Sequence, residues 1–263
     1  MEKPKFSIVT VCYNAGDKLY ETINTALKQT YDNFEIIIKD GLSKDNSLSK
    51  VPKDDRISVY SFKDKGIYDA MNQAVEKIIG DYVYFLNCGD SFYNEKVLEN
   101  IAEYIMKNDG VGIYYGDTYK ESTDSLVPMP KRVTAFTCYR NIPCHQACFY
   151  HKSLFEERGY DLEFKIRADY EHFLWCFFKK DIRPVHTGVV IANYEGGGFS
   201  ESKENQKRDR LEHEMTVNKY MKKSQLFLAK SYMVITLMPL RRALSESRHF
   251  SKFYNGLKSL IYK

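Results

Sequence analysis

The sequence predicts an α/β fold in which a doubly wound, mainly parallel sheet carries helices on both faces. Two observations predict it. Over residues 1–117, short β-branched segments alternate with segments whose apolar residues recur at helical spacing. A polar or acidic residue also follows each of the first four predicted strands. The 263 residues, 43% hydrophobic and 28% charged, suffice for one large globular domain, or for one domain with a small appendage.

The first half is predicted as five strands joined by helices. The strands cover residues 6–11, 34–39, 57–61, 82–86 and 111–115. Asp17 is the expected cap of a first helix, whose apolar face is formed by Leu19, Ile23, Ala26 and Leu27. The connection over 43–53 is polar, with room for a short helix. Two further helices are predicted by the helical spacing of Ile67, Ala70, Met71, Ala74, Val75 and Ile78, and of Val97, Ile101 and Ile105.

After Asp117 the pattern becomes irregular. We predict a loop over 126–130, strands over 146–150 and 185–193, and helices over 169–178 and 205–221. Three consecutive glycines at 196–198 interrupt the regular structure. The chain therefore divides into a unit at 1–220, with halves 1–117 and 118–220, and a basic amphipathic helical tail at 221–263.

Charge and cysteine content exclude several classes of protein. A net charge of +4 is too small to indicate nucleic-acid binding. The six cysteines form no Cys-x-x-Cys pair, which predicts reduced thiols in a cytosolic protein and no zinc site. The N-terminus leads straight into the first strand, so we expect no signal peptide. No segment is apolar for long enough to predict a membrane span.

The residues after the strands are the first candidates for a binding site, because such sheets bind ligands at the carboxyl ends of their strands. They are Asn14, Asp40, Asp64 and the segment 87–90. A carboxylate such as Asp90 suits Mn²⁺ or Mg²⁺, with diphosphate oxygens completing the ligand shell. Alternatives remain open at this point. Asp90 is also placed to cap a helix after Ser91, and Asp40 to form a turn before Gly41. Tyr68, Asp69 and Asn72 fit a solvated helix face equally well.

Four motifs together carry a resemblance to a known family. They are TVCYN at 10–14, KDGLSKD at 39–45, DKGIYDAMN at 64–72, and the segment from GDY to LNCGD at 80–90. In this order they resemble family 2 glycosyltransferases, in particular the subgroup that builds bacterial colanic acid, capsule and O-antigen polysaccharides. The similarity covers roughly residues 5–200, and the motifs are specific only jointly.

The resemblance implies a GT-A fold and inverting transfer from a nucleotide-diphospho-sugar. It implies that Asp40 contacts the base, commonly uracil, and that Asp90 binds the divalent metal. The other residues expected at the donor are Tyr13, Asn14, Asp64, Lys65, Gly66, Asn72, Asn87 and Gly89. Many members carry Asp-x-Asp where this chain has Asn87-Cys88-Gly89. Because Asp90 is then the one carboxylate of the loop, we expect weak metal binding without nucleotide.

The second half must supply the base, since inverting transfer needs a carboxylate that accepts the proton of the acceptor hydroxyl. The segment IRADYEHFL at 166–174 resembles the base segment of the family, which implies that Asp169 is the base. A helix start favours an ionised carboxylate, and it would equally explain Asp169 as a plain cap. His145 and Gln146 resemble a Pro-x-His-Gln segment near the donor or acceptor sugar, and we place Tyr68 with them. A structural role for His145 is the alternative, and His186 is read as structural.

The tail combines cations with apolar residues, and this is typical of an interfacial helix. Residues 226–240 are moderately apolar, and the cations that follow are Arg241, Arg242, Arg248, Lys252, Lys258 and Lys263. We predict contact with a membrane surface. Packing on the catalytic domain or in a homodimer is the alternative. The loop at 196–200 is predicted either to close over the diphosphate or to be a plain connection.

The sequence-based hypothesis is an inverting hexosyltransferase that acts in surface polysaccharide synthesis. It would move a sugar from a nucleotide-diphospho-sugar, with UDP as the expected nucleotide, to a lipid-linked or oligosaccharide acceptor. It would be cytoplasmic and peripheral on the inner face of the membrane. The alternative is a noncatalytic nucleotide-sugar or polysaccharide-binding module of the same fold. A nucleotidyltransferase is disfavoured, because the loop at 13–18 is poor in glycine and carries Asp17. The sequence names neither the sugar nor the linkage.

Overall fold

A computed structural model of the protein describes residues 3–108, 112–140, 142–194 and 205–235. Its centre is one nine-stranded sheet, whose strands lie in the order β3 (Ile57–Ser61), β2 (Phe34–Asp40), β1 (Phe6–Cys12), β4 (Tyr82–Phe85), β8 (Cys148–His151), β6 (Ile113–Lys120), β9 (Val185–Tyr194) and β5 (Ser91–Phe92). The ninth strand, β7 (Ser125–Val127), pairs with the outer part of β6. The pairs β1–β2, β2–β3, β1–β4 and β6–β9 are parallel. β8 is antiparallel to both β4 and β6, and it joins the two halves of the chain in one sheet. The predicted α/β class is confirmed.

The first half contains five strands and three helices. In chain order they are β1 (Phe6–Cys12), α1 (Asp17–Leu27), β2 (Phe34–Asp40), β3 (Ile57–Ser61), α2 (Ile67–Val75), β4 (Tyr82–Phe85), β5 (Ser91–Phe92) and α3 (Val97–Asn108). A short 3₁₀ helix, Ser47–Lys50, lies in the polar connection after β2.

The second half is more irregular, as the sequence predicts. Its elements are β6 (Ile113–Lys120), β7 (Ser125–Val127), α4 (Ala135–Arg140), β8 (Cys148–His151), α5 (Ser153–Glu157), α6 (Ala168–Phe178), β9 (Val185–Tyr194), α7 (Gln206–Tyr220) and α8 (Lys223–Ile235). A 3₁₀ turn, His145–Ala147, precedes β8 and shortens the strand predicted over 146–150.

Two apolar layers enclose the sheet because neighbouring side chains of each strand point to opposite faces. Ile8 of β1 packs with α1 and α3 on one face, where Ile23 and Ile101 are fully buried. Val9 packs on the other face with α2 and α6. Helices on both faces explain why the inner strands are apolar without alternation.

Several local predictions are wrong. Asp17 is the first residue of α1 rather than its cap, and Gly16, with φ of 57°, occupies the cap position. Ser91 begins no helix, since Ser91–Phe92 pairs with β9 as β5. The predicted loop over 126–130 overlaps β7, a short strand that pairs with β6.

Three features of the prediction lie wholly or partly outside the described residues. They are the start of the strand predicted at 111–115, the glycine loop at 196–200 and the tail after residue 235. Within the described residues, all six cysteines are free thiols. No helix in that part of the chain is long and apolar enough to cross a membrane.

Candidate active site

The loops after β1 and β2 are tied together by reciprocal hydrogen bonds. The Asn14 N–H donates to Ser43 Oγ at 2.8 Å, and the Lys44 N–H donates to Asn14 Oδ1 at 2.9 Å. Asn14 has φ of 50°, a backbone conformation that asparagine tolerates better than most residues. These contacts leave the Tyr13 ring 64% exposed at the sheet edge. A flat aromatic face is thus presented to solvent on a fixed loop.

Gly41 lets Tyr13 and Asp64 approach the same piece of backbone. A Cβ on Gly41 would lie 2.9 Å from Asp64 Oδ2 and 3.3 Å from the Tyr13 ring. The first distance is too short for a side chain, so only glycine fits here without movement of its neighbours. The structure therefore brings together three of the strand ends that the sequence singled out.

Asp40 is buried at the end of β2 and orders its own loop. Its carboxylate accepts the N–H groups of Leu42 at 3.1 Å and Ser43 at 3.2 Å. The Cys12 thiol donates to Asp40 Oδ1 at 3.7 Å. Both carboxylate oxygens therefore face the loop after β2, which also hydrogen-bonds Asn14. This is the region predicted for the base of the nucleotide.

Lys39 is a member of the site that the sequence analysis missed. Its ammonium group is almost fully buried and donates to the carbonyl oxygens of Asp40 at 2.9 Å and Phe62 at 2.7 Å. It also pairs with Asp64 Oδ2 at 3.0 Å. Asp64 Oδ1 accepts the Gly66 N–H at 3.1 Å. Lys39 thus fixes the ends of β2 and β3 and orients the Asp64 carboxylate.

The loop after β4 carries Asn87, Gly89 and Asp90. Gly89 has φ of 98°, which favours glycine, and its N–H donates to Thr22 Oγ1 of α1 at 3.0 Å. The Thr22 hydroxyl in turn donates to the Asp90 carbonyl at 2.9 Å. Asp90 is 7% exposed. Burial of Tyr84, followed by the charge of Asp90, raises the pKa of Tyr84 well above its ordinary value. Asn87 Oδ1 is buried and has no hydrogen-bond partner among the described residues.

Asp169 is the second residue of α6, and Tyr68 of α2 contacts it. The Tyr68 hydroxyl lies 2.8 Å from Asp169 Oδ1 and 2.7 Å from the Ile166 carbonyl oxygen. Burial, followed by the charge of Asp169, raises the pKa of Tyr68 well above 10. The hydroxyl therefore keeps its proton and donates. Arg167, not Asp169, holds the cap position of α6, so the alternative of Asp169 as a plain cap is wrong.

His145 and Tyr160 complete the surroundings of Asp169. His145 is 9% exposed and stacks on Phe85 with ring centroids 5.1 Å apart. Burial lowers the pKa of His145, while the charge of Asp169 acts in the opposite direction. Neither ring nitrogen of His145, nor the buried hydroxyl of Tyr160, has a hydrogen-bond partner in the part of the chain that the structure describes. A structural histidine would be expected to hydrogen-bond the surrounding protein. The described residues provide no such bond to His145.

Comparisons with known proteins identify the family of the chain. The model of the family described as Glycosyl transferase family 2 matches residues 7–182. A PGL/p-HBAD biosynthesis glycosyltransferase of Mycobacterium bovis is 32% identical over 207 residues, which is 76% of this chain and 80% of that protein. The putative teichuronic acid biosynthesis glycosyltransferase TuaG of Bacillus subtilis is 36% identical over 138 residues, 51% of this chain and 54% of TuaG. The chain belongs to glycosyltransferase family 2.

Solved structures place this family 2 glycosyltransferase in the GT-A fold. S. aureus TarS 1–349 in complex with UDP-GlcNAc aligns with a TM-score of 0.64 and 18% identity, over 93% of this chain and 74% of that one. The mannosyltransferase PcManGT from Pyrobaculum calidifontis, in complex with GDP-Man and Mn²⁺, aligns with a TM-score of 0.67 and 13% identity. That alignment covers 99% of this chain and 86% of PcManGT. The predicted fold and enzyme class are confirmed.

The loop after β4 of this glycosyltransferase fits a divalent cation shared with a ligand. Asp90 supplies a carboxylate, and the unpartnered Asn87 Oδ1 supplies a neutral oxygen, both of the type that Mn²⁺ and Mg²⁺ accept. Across the described ranges, no three His, Cys, Asp or Glu side chains cluster so as to hold a metal by themselves. The donor set is therefore incomplete without oxygens from a ligand.

Other predicted site residues make contacts within the protein. The Asn72 side chain accepts from the Tyr160 N–H at 2.8 Å and donates to the Tyr160 carbonyl at 2.9 Å. Gln146 Oε1 accepts from the Cys144 thiol at 2.8 Å, and the Lys65 N–H donates to Asp69 Oδ2 at 2.8 Å. Contacts of Asn72, Gln146 and Lys65 with substrates stay predictions.

His186 pairs with Asp117 Oδ1 at 3.0 Å, and a structural role fits this contact.

Asn193 of β9 is a second candidate that sequence reasoning missed. Its Nδ2 donates to the Oγ of Ser91, the residue after Asp90, at 3.2 Å. Asn193 Oδ1 is buried with no partner among the residues described. The signal for Asn193 was its place at the end of a predicted strand, the same signal that drew attention to Asn14 and Asp40.

Proposed function

We propose that this glycosyltransferase is an inverting enzyme that moves a sugar from a UDP-linked donor to an acceptor hydroxyl. The acceptor that we propose is a lipid-linked oligosaccharide of surface polysaccharide synthesis, such as that of capsule or O-antigen. The observation that carries the inverting mechanism is the hydrogen bond between Tyr68 and Asp169. It fixes a carboxylate at the start of α6, beside the helix that follows the donor loops.

The proposed donor site lies on the loops after β1, β2 and β3. Tyr13 offers a flat face to the base, and Asp40 an acceptor for the N3–H of uracil. Asp64, Lys65 and Gly66 face ribose and phosphate, with Asn14 as a fixed part of the wall. The close approach at Gly41 supports this arrangement, because it brings Tyr13 and Asp64 to the same piece of backbone. UDP-GlcNAc in TarS supports UDP, whereas GDP-Man in PcManGT makes GDP the alternative to test.

Asp90 and Asn87 would hold a divalent cation at the donor diphosphate, beside Gly89. When bound, the ion stabilises the negative charge of the departing nucleotide. We expect Mn²⁺ or Mg²⁺ to bind weakly to the empty protein, because the protein offers a single carboxylate there.

In the proposed step, Asp169 accepts the proton of the acceptor hydroxyl while the acceptor oxygen forms its bond to the anomeric carbon. The bond from that carbon to the diphosphate oxygen breaks, and its electron pair leaves with the nucleotide. Tyr68 occupies Asp169 Oδ1, which orients Oδ2 for the acceptor. His145, with Gln146 in the same turn, provides hydrogen-bonding groups for sugar hydroxyls, and this is supported by the unpartnered ring nitrogens of His145.

A groove beside Tyr68 is the proposed acceptor site. It has a volume of about 500 Å³ and runs between α2, the segment 162–166 and the start of α7. Its apolar lining includes Ile67, Leu162 and Phe164, and its cations are Lys65, Lys165 and Arg208. Apolar surface beside cations supports an acceptor that joins a lipid to a phosphate.

We also propose peripheral attachment to the inner face of the cytoplasmic membrane. α8 supports it, because Phe227, Leu228 and Ile235 are 67–79% exposed although they are apolar. The tail predicted to continue this surface lies outside the described residues. Packing in a homodimer is the alternative use of the same surface.

A donor panel with one matched control tests the proposal. Purified protein with Mn²⁺ is given UDP-, GDP- and dTDP-sugars with an extract of lipid-linked acceptors, and nucleotide release is followed. We expect UDP release, and a loss of at least about 100-fold in Asp169→Asn, since a general base contributes about that much. Asp181→Asn should be unaffected, because Asp181 is an exposed residue with φ of 56°, which asparagine adopts readily.

The possible failures of this test are distinguishable. Release that is equal in Asp169→Asn and the parent protein would contradict the assignment of the base. Binding of UDP-sugars by calorimetry, without transfer to any acceptor, would favour the noncatalytic binding module. No binding of any nucleotide would overturn the whole proposal.

A further inference from the structure

We propose that Glu212 of α7 is a positioning residue, which sets the place of the Asp169 carboxylate through the turn that precedes α6. This inference rests on the proposed role of Asp169 as the base. The turn, residues 165–167, is named here the α6 entry turn. Glu212 does not contact Asp169 itself, so it acts only through this segment.

The Glu212 carboxylate binds three consecutive backbone N–H groups of the α6 entry turn. Oε1 accepts from Lys165, and Oε2 accepts from Ile166 and Arg167, each at 2.9 Å. Arg208 Nε fills the remaining side of Oε1 at 2.7 Å. Glu212 is 3% exposed. Arg167 is the cap residue of α6, and Lys165 and Ile166 precede it, so a carboxylate that binds all three N–H groups fixes the turn that leads into the helix.

Burial would raise the pKa of Glu212, but Arg208 and the three backbone N–H groups outweigh burial and hold the pKa below its ordinary value. The carboxylate is therefore ionised at neutral pH. An ionised acceptor makes stronger hydrogen bonds to N–H groups than a neutral one does.

Two further contacts hold the α6 entry turn, one from Asp209 of α7 and one from Tyr68 of α2. The Arg167 guanidinium pairs with both carboxylate oxygens of Asp209, at 2.7 and 2.8 Å. On the other side, the Ile166 carbonyl oxygen accepts the hydroxyl of Tyr68, which also contacts Asp169. Asp169 follows Arg167 by two residues. A shift of the turn would therefore move Asp169 away from Tyr68 and from the proposed acceptor position.

Another buried carboxylate at the same helix pair provides the contrast. Glu171 of α6 is fully buried and binds Arg158, Lys219 and Tyr220. It therefore joins α6 to α7 as Glu212 does, but none of these partners belongs to the α6 entry turn. If Glu212 only stabilised the fold, the two glutamates would behave alike when substituted.

The test compares Glu212→Gln with Glu171→Gln in the full chain. A glutamine at 212 points an NH₂ group at backbone N–H donors, so at least one of the three bonds is lost. Rates of sugar transfer are measured per active site, after titration of the sites with UDP. We expect kcat of Glu212→Gln to fall at least about 10-fold, since a small misplacement of a reacting group has effects of this size. The UDP Kd and acceptor KM should change less than about 2-fold, and Glu171→Gln should keep its kcat per site.

Three results would overturn the proposal. They are equal kcat per site in the two glutamine variants, an unchanged kcat in Glu212→Gln, or a loss confined to KM or to UDP binding. If Glu212→Gln does not fold, Asp209→Asn decides, because it loosens the same turn at a residue that is only partly buried. Its kcat per site should fall at unchanged UDP affinity, and an unchanged value would refute the inference. Full activity of Asp169→Asn is a separate result, which would contradict the base assignment instead.

Discussion

At the scale of single residues, the ion pair between Lys39 and Asp64 joins two strand ends of the proposed donor site. The ammonium group is almost fully buried and has three oxygen partners within 3.0 Å. Removal of one member of such a pair is more costly than removal of both, because it leaves one charge without its counterion.

We therefore expect Lys39→Met to lower the free energy of unfolding by about 3 kcal/mol. The double variant Lys39→Met/Asp64→Asn should recover more than half of this loss, because asparagine keeps an oxygen for the Gly66 N–H without the charge. Urea unfolding measures both values, with the exposed Lys107→Met as control. UDP affinity, measured by calorimetry, should stay reduced in the double variant if Asp64 contacts the donor. A double variant as unstable as Lys39→Met would refute the coupling.

Lys39 also shows why parts of the site were not predictable. Within the segment FEIIIKD it looks like an ordinary end of a strand, and its partners Phe62 and Asp64 come from the next strand end. Glu212 likewise looks like a solvated residue of a polar helix, because its partners lie some 45 residues earlier. In contrast, Asp40, Asp64 and Asp90 were predictable, since each lies within a few residues of the end of a predicted strand and the motifs around them act jointly.

At the scale of elements, the strongest local signals gave the best predictions. β3 has the predicted bounds, and the ends of β1, β2 and β4 differ by one residue. Their β-branched and aromatic residues are recognisable without tertiary information. The position of β8 between β4 and β6, antiparallel to both, depends on pairing across the sheet and leaves no mark in the sequence. β7 is three residues long and largely exposed, so nothing local distinguishes it from a loop.

α8 is the element on which membrane attachment can be tested. Its residue Ala229 is buried, while Phe227, Leu228, Val234 and Ile235 are at least 67% exposed. The variant Phe227→Ser/Leu228→Ser should lower the partition constant for anionic vesicles by at least about 100-fold, because each apolar side chain buried in the interface contributes about 2 kcal/mol to such binding. Leu211→Ser is the control, since Leu211 is 57% exposed but lies on α7. Equal flotation of the parent protein, the double serine variant and Leu211→Ser would contradict membrane binding through this surface. So would flotation of the chain without residues 224–263 that equals flotation of the full chain.

At the scale of the whole molecule, four histidines of the described ranges have pKa values lowered by burial, and His172 shows the effect best. Its ring is fully buried, stacks on Phe155 at 4.5 Å and lies with Nε2 3.0 Å from the Arg158 carbonyl oxygen. Burial, and next the charge of Arg158, lower the pKa of His172 from 6.5 to about 4. The other three are His145, His151 and His213.

The sign of the resulting pH dependence follows from proton uptake. Between pH 6.5 and about 4, the unfolded chain binds a proton at His172 that the folded chain does not. Stability is therefore complete above pH 6.5 and decreases as the pH falls towards 4. From pH 7 to pH 5, His172 alone should lower the free energy of unfolding by about 2 kcal/mol. Glu171 and Glu212, whose pKa values are lowered, add a loss only below their ordinary range near 4.5.

Urea unfolding at pH 7, 6 and 5 measures this dependence, and His172→Gln assigns it. Glutamine has no proton to gain in this range, so the variant should lose about 2 kcal/mol less than the parent protein between pH 7 and pH 5. Its stability at pH 7 is expected to be lower, because the stacking on Phe155 is lost, and the slope with pH is therefore the informative quantity. His151→Gln is the comparison, since His151 is only half-buried and should flatten the slope less. Identical slopes in the parent protein and His172→Gln would show that folding does not lower the pKa of His172, contrary to its burial.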